Sequence, residues 1–147
     1  MEYLWSIYGV SMKIKITKEI AQNLNCGLDS YFNPKTDEIL SIPNFSLIAD
    51  EEEFQAAFKA DLQKVSKNKS DYIKVEVLED FESFKIMERF VNQMPENQLK
   101  LDLEKALHNK KPFQNFKYSI ETSDFRNLWF EFKQNELEKI VMDKLNL

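Results

Sequence analysis

The second half of the chain carries apolar residues at helical spacing. Between residues 80 and 94 they form a broad stripe that stops at Pro95. A second stripe follows Pro95, a third follows Pro112, and a fourth occupies residues 125–145. Side chains three and four residues apart lie on one side of an α-helix, and proline is favoured at the first helical position. The pattern therefore predicts four consecutive helices, the second and third of which begin at the two prolines.

The apolar residues of these four stripes are expected to form the core. They are Phe81, Phe84, Met87, Phe90, Val91 and Met94, then Leu99, Leu103, Ala106 and Leu107, then Phe113, Phe116 and Ile120, and finally Phe125, Trp129, Phe132, Leu137, Ile140, Val141 and Leu145. Thr122 or Ser123 is expected to cap the fourth helix, because a hydroxyl oxygen accepts a hydrogen bond from a free backbone N–H. The β-prone residues around Trp129 favour a break near Lys133.

The first half of the chain contains strand patterns. Apolar and polar residues alternate in residues 72–77, which predicts a half-buried strand. Two shorter β-prone runs, residues 28–32 and 38–42, flank the turn-forming sequence NPKTD, in which Pro34 suits the second turn position. These runs predict a hairpin, and the third strand is expected to pair with it.

A helix is expected on each side of the hairpin. Thr17 can cap a short helix that ends before Gly27, a residue suited to the left-handed backbone at helix ends. After the hairpin, Asp50 and Glu53 have the spacing of a capping box. The apolar stripe of this second helix is Phe54, Ala57, Phe58, Leu62 and Val65.

Composition narrows the fold class. The chain has 147 residues, of which 43% are hydrophobic, with two glycines and four prolines. This is enough apolar material for one core, and so few turn formers argue against a many-stranded sandwich or barrel. We expect an α+β fold, in which a small antiparallel sheet (the N-terminal hairpin plus one strand) is followed by and packed on a C-terminal group of helices. Residues 12–147 are interpreted as a single domain, and residues 1–11 as an extension outside it.

Charge and cysteine content limit the environment and the partners. The formal net charge is −5 and Cys26 is the one cysteine, so neither a strongly basic nucleic-acid face nor an intrachain disulfide is expected. The N-terminus lacks the basic region and small-residue cleavage site of a signal peptide, and no apolar run reaches the ~20 residues of a membrane span. We therefore expect a cytoplasmic protein without membrane contact.

Residue types that carry catalysis are scarce. Two glycines cannot supply a glycine-rich phosphate loop, and one histidine, His108, cannot form a histidine pair for a metal. Asp102 and Glu104 are two residues apart and face different sides of a helix, which does not suit paired acid–base catalysis. We expect no catalytic residue, no metal site and no cofactor, and an enzymatic role ranks third among the functions considered.

The acid-free residues 105–120 contain the first candidate binding site. Its lysines are Lys105, Lys110, Lys111 and Lys117. A helix that begins at Pro112 adds free N–H groups and the positive end of its dipole, a combination that suits a phosphate or a nucleic-acid backbone. The preferred alternative is that the lysines are solvated and that Phe113 and Phe116 are core residues, because burial alone accounts for the two rings.

The aromatic start of the last helix is the second candidate site. Phe125, Trp129 and Phe130 cannot all face one core, so the surplus side is expected to pack on a protein partner or on a second copy of the chain. Arg126, one of two arginines, lies on the same helix. We expect it to have a structural role, either a bidentate ion pair or a cation–π contact that fixes this helix.

Several short sequences occur in an order that resembles a known family. They are YFNPKTDEI, FKIMERFV, AL followed by KKPFQNFK, and FRNLWFEF. The chain resembles the bacterial Uncharacterised Protein Family 0158 over most of its length, with one departure at Asp37, where glycine is usual in the hairpin turn. Aspartate tolerates a left-handed backbone better than most residues, so the turn is expected to survive. The resemblance implies the α+β architecture and assigns no activity.

The leading expectation is therefore a small non-catalytic binding or regulatory domain that acts through contacts with a protein partner or as a homodimer. The alternative is a nucleic-acid- or phosphate-binding accessory protein that uses the local lysine patch.

Overall fold

A computed structural model describes residues 2–44, 53 and 56–147, with side chains from residue 9 onward. Its elements in chain order are α1 (Glu2–Asn25), β1 (Leu28–Asn33), β2 (Glu38–Pro43), α2 (Lys59–Lys67), a 3₁₀ turn (Lys69–Asp71), β3 (Ile73–Val75), α3 (Asp80–Gln93), α4 (Gln98–Leu107), α5 (Pro112–Glu121) and α6 (Arg126–Leu145). The expected α+β class is confirmed.

The elements form two compact units. The sheet unit comprises Met1–Val77 and Leu137–Leu147, and the helical unit comprises Leu78–Glu136. The sheet unit therefore contains α1, the three strands, α2 and the C-terminal part of α6. The helical unit contains α3, α4, α5 and the first part of α6.

The sheet is antiparallel and has the strand order β2–β1–β3. β1 pairs with β2 along its whole length, and its residues 30–32 pair with β3. The predicted hairpin and the pairing of the third strand with it are both confirmed. Asp37 closes the turn with a φ of 62°, the left-handed conformation expected of an aspartate that stands where glycine is usual.

The face of the sheet toward α1 is buried and contains polar side chains that the sequence pattern did not predict. Ser30 has no exposed surface. The Asn23 side chain of α1 donates to the Ser30 hydroxyl at 3.2 Å and to the Ser41 hydroxyl at 2.7 Å. A buried polar group is tolerated when it is hydrogen-bonded, so this network joins α1 to two strands at little cost.

A second polar contact ends the third strand early. Asp29 is buried, and its carboxylate accepts hydrogen bonds from the Asn44 side chain at 3.2 Å and from the Val77 backbone N–H at 2.9 Å. The strand predicted for residues 72–77 ends at Val75 instead. The Val77 N–H thus bonds to a carboxylate rather than to the neighbouring strand.

The first helix is longer than predicted. α1 begins at Glu2, so Thr17 lies inside the helix rather than at its cap. The Thr17 hydroxyl donates to the Lys13 carbonyl at 2.7 Å, which satisfies it within the helix. The predicted helix end is confirmed, because Gly27 has a φ of 80° and its N–H donates to the Leu24 carbonyl at 3.1 Å.

The helix after the hairpin is partly described. Asp50 and Phe54, which belong to its predicted cap and stripe, lie outside the described residues. α2 begins at Lys59, and no residue within it is buried. Leu62 and Val65 are half-buried, so this helix covers the sheet only loosely.

The helical unit is built around a cluster of rings. The ring centre of Trp129 lies 5.2 Å from that of Phe90 and 4.9 Å from that of Phe116, both in edge-on geometry. Phe90 also lies 5.3 Å from Phe132. Edge-on contacts match the positive edge of one ring to the negative face of another. The four predicted helices α3–α6 are confirmed, as is Pro112 at the start of α5.

Some of the predictions of core residues in these helices are wrong. Phe81 is 62% exposed and Phe113 is 39% exposed, whereas Ile86, which the stripe omitted, is buried. An apolar stripe about 100° wide has two edges, and the neighbouring helices decide which edge is covered.

Two helix starts also differ from the prediction. α4 begins at Gln98 rather than at Pro95, because the Asn97 side chain caps it by accepting from the Lys100 N–H at 2.8 Å. α6 begins at Arg126, after the residues expected to cap it.

The polar residues before α6 bond to the end of the preceding helix, and Ser123 also bonds toward α6, since its hydroxyl oxygen accepts from the Phe125 N–H at 3.2 Å. The Thr122 hydroxyl donates to the Tyr118 carbonyl at 2.8 Å, and the Ser123 hydroxyl donates to the Ile120 carbonyl at 2.7 Å, both at the end of α5. The break expected near Lys133 does not occur, since α6 is continuous there.

Candidate functional site

An open groove of 710 Å³ lies between α3 and α4 in the helical unit. This volume is within the range of ligand pockets, about 300–1,000 Å³. The described residues that line the groove are Glu88, Val91, Asn92, Leu101, Glu104, Lys105, Leu107, His108 and Asn109. Spacings of three and four residues bring the contributions of each helix to one side, so two helix faces enclose the groove.

The groove has an apolar floor and a charged rim. Val91 and Leu107 are buried at the floor, and Leu101 is 48% exposed although it is apolar. The rim consists of Glu88, Glu104, Lys105 and His108. No salt bridge joins any of these four side chains to another described residue. The rim charges are therefore available to a partner.

The lysines predicted to bind an anion have separate positions. Lys105 lines the groove. The other three predicted lysines are not among the described residues that line it. Lys110 and Lys111 are exposed in the turn before α5, and Lys117 is exposed on α5. Their joint use as an anion site stays a prediction.

Lys117 has a cationic neighbour that the sequence did not indicate. Lys133 on α6 is half-buried. Burial and, after it, repulsion by Lys117 lower the pKa of the Lys133 ammonium below its usual value, while the attraction of Glu121 opposes them. The positive charge of Lys117 thus disfavours a second positive charge at Lys133.

The residues predicted as an interface differ in exposure. Trp129 is 7% exposed and belongs to the ring cluster, Phe125 is half-buried, and Phe130 is 39% exposed. The Arg126 guanidinium carbon lies 4.8 Å from the Phe130 ring centre, one turn along α6. This contact is a cation–π pair, one of the two roles expected for Arg126, and both partners lie on the same helix.

Sequence reasoning missed most of the groove. From the sequence, His108 is considered only as a metal ligand, and neither Glu88 nor Leu101 is singled out. The available signal was on α4, where Leu101, Lys105 and His108 recur at helical spacing on the side away from buried Leu103. Nothing in the linear pattern indicated that α3 supplies the other wall.

The acidic residues of α4 lie as predicted. Asp102 accepts from the Gln98 side chain at 3.0 Å, while Glu104 faces the groove, so the two do not form an acid–base pair. In the described part of the chain, no group of three or more His, Cys, Asp or Glu side chains could hold a metal ion. None of the described helices is long and apolar enough to cross a membrane.

The fold defines an α+β protein with a three-stranded antiparallel sheet and helices packed on it. The model of the Uncharacterised protein family (UPF0158) matches residues 12–147, and the chain belongs to that family. The family resemblance drawn from the sequence is thereby confirmed. No curated protein and no solved structure matches the chain significantly.

Proposed function

We propose that the chain is a non-catalytic binding domain that holds a short amphipathic helix of a partner protein in the groove between α3 and α4. The observation that carries this proposal is the half-exposed Leu101 beside the buried floor residues Val91 and Leu107. An apolar side chain gains about 25 cal/mol for each Å² removed from water, so a covering apolar helix face is favourable. Helix-in-groove recognition is a common use of such a surface.

The rim charges indicate what flanks the apolar face of the partner. Glu88 on α3 and Glu104 on α4 are two carboxylates, and Lys105 is one ammonium. The rim is net negative when His108 is neutral, so the partner helix is expected to carry Lys or Arg beside its apolar anchors. Complementary rim charges affect the association rate and the specificity more than the affinity.

Binding is better supported than catalysis in this groove. A catalytic base is normally oriented by a hydrogen bond to a third group. The described hydrogen bonds of His108 come from its backbone N–H and go to a helix carbonyl, and none joins its ring to Glu88 or Glu104. The side chains of the rim therefore resemble a recognition surface rather than a catalytic arrangement.

The proposal can be tested with a displayed library of random peptides selected against the immobilised protein. We expect the selected peptides to share apolar residues at helical spacing with Lys or Arg between them. Leu101→Glu should weaken their binding about tenfold or more, because it places a charge at the apolar anchor point. The matched control is Leu128→Glu, since Leu128 is 53% exposed on α6 and does not line the groove.

Selected peptides that bind wild type and the Leu101→Glu variant equally would contradict the proposal, provided that circular dichroism shows both to be folded. A selection that enriches acidic peptides without apolar spacing would contradict the expected partner chemistry.

A second surface, in the sheet unit, favours self-association. Val10 and Ile14 of α1 are 53% and 51% exposed, and they share a 180 Å³ cavity with Met142 and Leu147, which are also exposed. Lys13 and Glu138 line the same cavity and form no salt bridge with described residues. In a two-fold dimer each patch meets its own copy, and we infer an arrangement in which Lys13 of one copy pairs with Glu138 of the other, because it places opposite charges together.

We infer that this patch binds a second copy of the chain, and charge reversal tests it. Lys13→Glu alone and Glu138→Lys alone should each be monomeric in analytical ultracentrifugation, because each places like charges across the two-fold axis. An equimolar mixture of the two variants should recover the dimer. Wild type that remains monomeric at high concentration, or a mixture that does not associate, would refute the inference.

A further inference from the structure

The sheet unit contains a second cavity, of 330 Å³, between α2 and the outer face of the sheet. Two tyrosines, Tyr31 and Tyr72, and two lysines, Lys69 and Lys74, contribute to its lining together with Ser66. No described residue that lines it carries a carboxylate. Rings and ammonium groups are thus concentrated in one small space on a chain whose net charge is −5.

Strand register brings these residues together. Tyr31 of β1 and Lys74 of β3 are directly paired across the two strands, so both side chains lie on the same face. The Lys74 ammonium lies 5.7 Å from the centre of the Tyr31 ring. Tyr72 is two residues before Lys74 and therefore faces the same side. The opposite face of this strand pair is core, since Ser30 and Val75 are completely buried.

The loose packing of α2 keeps the cavity open. Leu62 and Val65 form its apolar wall and are only half-buried. Lys64 on the same helix forms a salt bridge with Glu38 of β2 at 2.6 Å, and this contact holds α2 beside the sheet at one side of the cavity. An aromatic floor, an apolar wall and a cationic edge are therefore already in place.

Carboxylates beside the lining residues are already paired. Asp71, which precedes Tyr72 in the chain, forms a salt bridge with Lys35 at 3.6 Å. Glu38 also accepts a hydrogen bond from the Tyr72 hydroxyl at 2.5 Å, so its charge is shared between Tyr72 and Lys64. Glu76 is paired with Lys74 at 2.9 Å. Lys69 forms no salt bridge with any residue in the described ranges, and its ammonium is free for an anion.

We propose that this cavity binds one nucleotide, with its base against the Tyr31 and Tyr72 rings and its phosphate at Lys69. Bases stack on aromatic side chains regardless of their identity, and neighbouring lysines bind the backbone phosphate. The volume is close to the lower end of ligand pockets, about 300 Å³, which suits one nucleotide and is too small for a duplex. The ligand is either a free mononucleotide or one unit of a single strand, which share this chemistry.

This site is independent of the helix-binding groove and of the predicted lysine patch. It lies in the sheet unit, whereas the groove and Lys105, Lys110, Lys111 and Lys117 lie in the helical unit. The tests of the groove and of this cavity therefore use different substitutions, and either proposal can fail without the other.

The experiment is a titration of the full chain, measured by isothermal titration calorimetry. Two probes are used in separate titrations: adenosine 5′-monophosphate and a short single-stranded oligoribonucleotide. Saturable binding of either probe is expected. Lys69→Glu should weaken it about tenfold or more, whereas Lys67→Glu, which changes an exposed lysine of α2 outside the cavity, should weaken it less than about twofold.

The ring is tested by a matched pair of substitutions. Tyr31→Leu removes the stacking surface and should weaken binding about tenfold, while Tyr31→Phe keeps the ring and should preserve it. If Tyr31→Leu does not fold, the comparison of Lys69→Glu with Lys67→Glu still tests the site. Both lysines are exposed, so neither substitution should prevent folding.

Binding of the mononucleotide would identify a free nucleotide as the ligand, and binding of the oligonucleotide alone would identify a strand; both support the site. The proposal is overturned if neither probe binds, or if Lys67→Glu and Lys69→Glu weaken binding equally. It is also overturned if binding survives Lys69→Glu but is lost when Lys110, Lys111 and Lys117 are all replaced by alanine.

Discussion

Different kinds of side-chain contact stand out inside the sheet unit and inside the helical unit. In the helical unit three phenylalanine rings surround Trp129, and two of them, Phe90 and Phe116, meet it edge-on. In the sheet unit, hydrogen bonds from Asn23 and to Asp29 join separate elements through buried polar groups. The difference shows that a core predicted from apolar spacing is only one way in which this chain stabilises a fold.

The two kinds of core also explain why their surfaces differ. A helix makes its backbone hydrogen bonds within itself, so it packs on its neighbours through side chains alone. The side of α4 that does not pack carries charged residues such as Glu104 and Lys105, and these line the groove. A strand pair presents alternate residues to opposite faces. Tyr31 and Lys74 therefore point outward because Ser30 and Val75 point inward.

The largest expected effect is in the helical unit. Trp129→Ala removes the central ring and should lower the free energy of unfolding by about 3–5 kcal/mol, because a cavity remains among Phe90, Phe116 and Phe132. The control is Phe130→Ala, one residue along and 39% exposed, which should cost less than about 1 kcal/mol. Urea denaturation measures both, and equal losses would show that the rings are not the main support of this unit.

The next effect is in the sheet unit. Asp29→Ala removes the acceptor of the buried Val77 N–H hydrogen bond and should cost about 1–3 kcal/mol. Asp102→Ala on α4, where the carboxylate is exposed and bonds to Gln98, should change stability by less than about 0.5 kcal/mol. If Asp29→Ala left the free energy of unfolding unchanged, the polar contacts of the sheet unit would not contribute to its stability. The contrast between the two cores would then disappear.

A smaller effect is expected at the hairpin turn. Asp37 has a φ of 62°, a conformation that glycine adopts without strain. Asp37→Gly should stabilise the protein by about 0.5 kcal/mol, because relief of backbone strain exceeds the added flexibility of the unfolded chain. Asp37→Ala should destabilise it by about 1 kcal/mol. Thermal unfolding of the three proteins checks this order, and a more stable alanine variant would contradict it.

The smallest effect is a pH dependence confined to the sheet unit. Hydrogen bonds from Lys64 and then Tyr72 lower the pKa of Glu38 below its usual 4.5. A carboxyl that is harder to protonate in the fold stabilises it fully above pH 4.5, and this contribution is lost as the pH falls through the lower folded-state pKa. Both partners reach solvent, which screens the pair, so the contribution to stability is small.

Glu38→Gln should therefore be less stable than wild type at pH 6, and the difference should shrink as the pH falls below 4.5. Urea denaturation across this range measures the difference, with Glu96→Gln as the control, because the Glu96–Lys100 pair lies in the helical unit. A gap between Glu38→Gln and wild type that does not narrow on acidification would contradict the assignment.

Local features of the chain were predictable from the sequence. The hairpin follows from two β-prone runs around NPKTD, the helix end from Gly27, and the four later helices from apolar spacing, because each depends on residues close together in the chain. Helix boundaries were less predictable where two residues could cap, as with Asn97 after Pro95. Boundaries of this kind depend on which hydrogen bond forms, and several are nearly equal in energy.

Sequence patterns alone were enough to predict the family, the α+β class, the hairpin with Asp37 in its turn, and most of the ring cluster. Packing between elements was needed to establish that Phe81 and Phe113 face solvent, that Asp29 meets Val77, and that the groove and the tyrosine cavity exist. The two sets of features differ in how far apart along the chain the contributing residues lie. Periodicity reports which side chains share a face of one element, whereas a site is made by two elements, and their pairing is set by the packing of the whole unit.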